Sequence, residues 1–211
     1  MHRPEQTTFE FRKRGGKRPG AGRPRIHEQP GLVGKAVPHR PRAAFKSCKA
    51  VHVTQRVRPG VGYLRKQGPA QVVLGALRDA AIGGEMRIAH YSIQGNHLHF
   101  IVEADDARAL SRGMQGLTIR IARRLNRRLG RSGPVFVDRY HGRVLSSPRE
   151  AANAIRYVVG NYRHHTLEHL PPDFRDPLAT SADEPLEQTR LWLLRIGWRA
   201  RTNAPSPLKP P

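Results

Sequence analysis

The 211-residue chain, 37% hydrophobic and 6% aromatic, holds one compact core of modest size with tails rather than two domains. A formal net charge of +22 draws polyanions, so nucleic acid is the first partner to expect and an anionic membrane surface the second. No apolar stretch approaches the ~20 residues that span a bilayer, and the single cysteine, Cys48, excludes an internal disulfide and a thiolate metal site.

Residues 1–49 read as a disordered basic tail, with 13 Lys/Arg against 3 Glu and repeated Gly and Pro. Basic residues and prolines fill this region, so no signal-peptide core is expected and the expected location is the cytoplasm. Gly22-Arg23-Pro24-Arg25 has the form of a minor-groove arm, with unspecific phosphate tethering as the plainer reading. Residues 50–57 alternate as a strand. The run 70–82 has helical spacing at Val73, Leu74, Leu77 and Ala81 and is closed by Gly83-Gly84. Strands follow at 86–93 and 97–104. Asp105-Asp106 caps a helix over 107–129. Short strands are expected at 135–138 and 143–145, and Ser146-Ser147-Pro148 opens a helix running to about His165. Residues 171–202 read as a linker with a short amphipathic piece, and 203–211 as a second tail. The order predicts an α+β domain over 50–170, a ferredoxin-like antiparallel sheet with helices on one face.

The densest chemical signal is Asn96-His97-Leu98-His99. On a strand, His97 and His99 project to one face, with Leu98 and Phe100 on the other. Two imidazoles side by side make half of a metal site. The plain alternative is a polar-face pair with no ligand role. Asn96 is placed to bond a ring nitrogen or substrate. Downstream, a helix puts Tyr157 and Asn161 one turn apart, so that Asn161 can offer a third ligand oxygen and Tyr157 stands beside the metal. A phenol is a poor nucleophile near neutral pH until a metal or cation favours phenolate. The alternative is a tyrosine packed on the sheet and an asparagine at a fraying helix end. His164, His165, Glu168 and His169 form a further histidine-rich run just past that helix.

The helix over 107–129 and its following turn carry eight arginines and no acid, among them Arg120, Arg123, Arg124, Arg127 and Arg128. They lie off the apolar stripe Leu110, Met114, Leu117, Ile121 and Leu125, a face suited to phosphate. Arg139, Arg143, Arg149, Arg156 and Arg163 are expected to extend the patch towards Tyr157.

Together, Asn96-His97-Leu98-His99, the segment Gly133 to His141, Tyr157-x-x-x-Asn161 and the first-strand His52-Val53-Thr54 resemble the single-tyrosine HUH transposases, especially the REP-associated tyrosine transposases. The resemblance covers about residues 50–165. It implies a ferredoxin-like catalytic core, Mg²⁺ or Mn²⁺ held by His97, His99 and Asn161, and single-stranded, hairpin-bearing DNA as substrate. Tyr157 would attack a phosphate, keep a 5′-phosphotyrosine link and release a 3′-OH, in a monomer or homodimer. The residues leave two alternatives: a non-catalytic DNA- or RNA-binding regulator, and a two-histidine phosphoesterase built on His52-Val53-Thr54 and His97-Leu98-His99.

Overall fold

A computed structural model describes residues 44–80, 84–166, 170, 171 and 173–201. The readings placed on residues 1–43 and 202–211, the minor-groove arm included, lie outside these. Strand β1 (Lys49–Arg56) is followed by a 3₁₀ turn (Pro59–Val61), helix α1 (Gln67–Ala80), strands β2 (Met86–Ile93) and β3 (His97–Ala104), helix α2 (Ala107–Arg128), strand β4 (His141–Leu145), and helices α3 (Pro148–Val159) and α4 (Asn161–His165). The four strands form one antiparallel sheet in the order β2-β3-β1-β4. This is the α+β, ferredoxin-like arrangement expected from the element order.

Alternation in the strands creates two apolar layers. Val51, Val53, Leu98, Phe100 and Val102 face one way and meet α1 and α2. Helix α2 contributes the stripe Leu110, Met114, Leu117, Ile121 and Leu125. Gly113 lets it close on β2, because a Cβ there would run into the Met86 side chain. The Asp106 carboxylate accepts from the Ala109 N–H at 2.7 Å and starts this helix. The intervening residues Ala50, Ala89 and Ile101 face the other way, against Ala151, Ala152, Ile155 and Val158 of α3. Helices therefore cover both faces. The expectation of one covered face holds for α1 and α2, while α3 lies opposite, since its Ala and Ile stripe needs a sheet face of its own.

Three local readings change. Residues 135–138 are no strand; Phe136 makes an isolated bridge to Val57 and Val135 enters the core. The helix opened by Ser147 and Pro148 stops at Val159, and α4 restarts after Gly160. The region after 171, read as a linker, lines the outer edge of β2. Ile93 N–H donates to Leu178 O (2.9 Å), Thr180 N–H to Tyr91 O (3.1 Å), Leu186 N–H to Ala89 O (2.8 Å) and Glu187 N–H to Ile88 O (3.1 Å). A π-helical turn, Leu193–Gly197, then adds Leu193 and Leu194, with Trp198, to the layer under α3.

Fully buried Glu103 anchors this return. Its carboxylate accepts from Arg87 (2.6 Å) and from the backbone N–H groups of Arg190 (2.9 Å) and Leu191 (2.6 Å). Cys48 and Asp105 lie close enough to Glu103 to share an ion with it. The Glu103 oxygens are already committed to a guanidinium and two amides, which makes the group a structural clamp.

Candidate active site

Register decides what surrounds the histidine pair. His97 of β3 sits opposite Arg56 of β1, and His99 sits between Thr54 of β1 and Ser92 of β2. On the next strand, β4 places His141 opposite Thr54 and Arg143 opposite His52. Directly paired residues share a face. The α3 side of the sheet thus carries His52, Thr54, Arg56, His97, His99, His141 and Arg143 together.

The rings pack closely. His97 and His99 have centroids 4.7 Å apart at 90°. His52 lies 5.3 Å from His99. Tyr157, on α3, stands edge-on to both, 5.3 Å from His99 and 5.9 Å from His52. His99 is buried, whereas Tyr157 is 42% exposed, so the phenol seats on the imidazoles and still faces solvent. The Nδ1 atom of His97 is 2.7 Å from Asn96 Oδ1, and that of His99 is 3.2 Å from Thr54 Oγ1 and 3.3 Å from His52 Nε2. Burial first, then the electrostatic influence of His141 and Arg143, push the His52 imidazole down to about 4, so it is neutral at physiological pH.

Asn161, the first residue of α4 and four positions after Tyr157, is 0% exposed. Neither its amide oxygen nor its amide nitrogen has a hydrogen-bond partner within the protein. Burying an unpartnered amide is unfavourable by about 1–3 kcal/mol, and such a group calls for an outside partner. Imidazole nitrogens and an amide oxygen are donor types compatible with Mn²⁺, and with Mg²⁺ when water and phosphate oxygens complete the shell. The side chains present fit a hard divalent cation.

The structure stacks His99 between His97 and Tyr157 and adds His52, Thr54, Arg56 and His141, which the spacing in sequence does not assign to the site. The alternation His52-Val53-Thr54-Gln55-Arg56 signalled a shared face, but which strand lies beside β3 is a matter of topology. Arg143 belongs to this face, in an ion pair with Glu150 at 2.9 Å. The α2 arginines do not: α2 covers the opposite side of the sheet, so Arg120, Arg123, Arg124, Arg127 and Arg128 form a separate surface and not one continuous with Tyr157. Arg124 there pairs with Asp79. Arg139 is exposed in the loop before β4. Among the other tyrosines, Tyr140 is buried in the α1–α2 layer, and Tyr162 lies beneath the Arg65 guanidinium at 3.8 Å. The side chains of His164 and His165, and residues Glu168 and His169, fall outside the described part of the chain.

No family model and no curated protein sequence matches the chain. Among solved structures, the chain is similar to a REP-associated tyrosine transposase bound to a REP hairpin, with a TM-score of 0.54 and 14% identity over 68% of this chain and 82% of that one. The chain has the fold of the REP-associated tyrosine transposase. A protein of Deinococcus radiodurans is also similar, at a TM-score of 0.40 and 14% identity, over 66% of this chain and 97% of that chain. The likeness to the REP-associated tyrosine transposase concerns architecture.

Proposed function

We propose that this protein is a metal-dependent tyrosine transposase that cuts and rejoins single-stranded, hairpin-bearing DNA. The observation that carries the reading is Tyr157 standing edge-on to His99 and His52, four residues before the buried, unpartnered amide of Asn161. The net charge of +22 supports a polyanionic substrate, and the similar transposase of known structure is bound to a REP hairpin.

His97, His99 and Asn161 would hold Mg²⁺ or Mn²⁺, which when bound supplies Lewis-acid polarisation of the scissile phosphate and favours the phenolate. The other steps belong to the chain. Tyr157 Oη attacks phosphorus, the bond from phosphorus to the 3′-oxygen breaks, and the 3′-oxygen leaves with a proton as a 3′-OH. The downstream fragment stays on the tyrosine, linked through its 5′-phosphate as a phosphodiester. Attack by a 3′-OH on that diester restores the DNA and returns the proton to the phenol. One phosphodiester replaces another at each step, so no nucleotide cofactor is consumed. Arg56, exposed and directly opposite His97, is placed to neutralise the phosphate. The α2 arginines hold DNA further away on the other side of the domain.

The test is incubation of an end-labelled hairpin oligonucleotide with Mn²⁺ or Mg²⁺. A covalent protein–DNA adduct is expected, and it disappears in Tyr157→Phe. An adduct that survives in Tyr157→Phe refutes the assignment of the nucleophile. Tight binding with no adduct points to a non-catalytic regulator, and cleavage of cyclic RNA ends points to the phosphoesterase.

A further inference from the structure

A histidine that ligates a metal uses one ring nitrogen, and whatever partners the other nitrogen fixes the tautomer and the ring orientation. At His97 this partner is the preceding residue: Asn96 Oδ1, which can only accept, lies 2.7 Å from Nδ1. At His99 the partners come from another strand. The β1–β3 register sets Thr54 opposite His99, which brings Thr54 Oγ1 to 3.2 Å and His52 Nε2 to 3.3 Å of Nδ1. We propose that Thr54 and His52 are positioning residues that hold His99 as the Nδ1–H tautomer and aim its Nε2 into the ion site, an inference that rests on the metal site proposed above.

Three features support the pairing. Both side chains reach the same nitrogen, so the ring is held on the Nδ1 side at two points. The arrangement matches that at His97, so both ligands offer the same nitrogen to one ion. Last, the His52 ring also touches Tyr157. A single side chain on β1 thereby seats a ligand and the nucleophile, and fixes their relative placement through the sheet and not through a loop.

The experiment measures Mn²⁺ binding to the full-length protein without DNA, by the loss of the free-ion electron paramagnetic resonance signal. The variants are Thr54→Val, His52→Leu, their combination, Thr54→Ser and His99→Ala. The double variant is expected to bind Mn²⁺ about 10- to 100-fold more weakly, in line with lost outer partners of metal-bound histidines. Thr54→Ser, which keeps the hydroxyl, retains wild-type affinity, and a role in packing alone would not separate Ser from Val in this way. Should the double variant fail to fold, Thr54→Val alone carries the test, since it exchanges hydroxyl for methyl at nearly constant volume. If His99→Ala abolishes binding while the double variant binds as well as wild type, the positioning role is overturned and the metal site stands. If wild type binds no Mn²⁺, or His99→Ala binds equally well, the metal site itself is overturned and the inference falls with it.

Discussion

Asn161→Leu separates what the fold needs from what the site needs. The side chain is fully buried and both amide atoms lack partners in the protein. Removing such a group recovers about 1–3 kcal/mol of desolvation penalty. Fitting a branched side chain of similar volume into the same space costs up to about 1.5 kcal/mol. In EDTA the variant is therefore expected to be more stable by about 1 kcal/mol, a rise in Tm of about 2–4 °C at this chain length. Metal inverts the order. At a free Mn²⁺ concentration of 100 times Kd, wild type gains about 2.7 kcal/mol, and the variant gains far less because one ligand is gone. Thermal denaturation with EDTA and with Mn²⁺ measures both differences. A variant destabilised by more than about 1 kcal/mol in EDTA would show that the amide serves the apo fold. An unchanged Mn²⁺ increment would show that it is no ligand.

Glu103→Gln removes the charge that Arg87 and two backbone amides share in the interior. Leaving that guanidinium short of its buried counter-ion should destabilise the protein by about 3 kcal/mol, read as a lower urea midpoint, with faster amide exchange at residues 188–198. His52 and His90 both have values lowered to about 4, each chiefly by burial. Their unfolded-state value is about 6.5, so the unfolded chain binds the extra protons and stability is full above about pH 6.5. It should drain as pH falls towards 4 with a slope of up to about 1.4 kcal/mol per pH unit for each histidine, and His90→Gln should flatten the urea midpoint against pH. On α2, replacing the exposed Arg123 and Arg127 with Ala should weaken hairpin binding and lower the salt slope by about 0.7 to 0.9 per lost phosphate contact. Adduct yield at saturating DNA should not change, since this surface lies across the sheet from Tyr157.

Much of the architecture could be read from periodicity. The boundaries of β2 and β3 fall where alternation between Gly and Asp breaks predicts them, and the capping residues Asp106 and Ser147 mark α2 and α3. The histidine pair and the Tyr157–Asn161 turn were visible as spacings. What escaped depends on which element lies beside which. Nothing local says that Thr54 pairs with His99, so the role of β1 in the site was hidden. Nor does an arginine count say which sheet face a helix covers, which is why α2 and Tyr157 were read as one surface. The break at Gly160 was also hidden, because four residues separate Tyr157 from Asn161 in sequence, as they would in an unbroken helix. The C-terminal region looked like a linker because its Pro and Asp content masks a segment that donates and accepts along a strand edge without forming a strand of its own.

That edge contact bears on how the protein can be dissected. Residues 178–187 satisfy amide and carbonyl groups of β2 that would otherwise open to solvent. A fragment ending near residue 170 would keep every side chain of the proposed site. It would also expose a bare strand beside the apolar layer vacated by Leu193, Leu194 and Trp198, a template for intermolecular pairing. Such a fragment should precipitate for reasons unrelated to its chemistry, and its inactivity would say nothing about Tyr157.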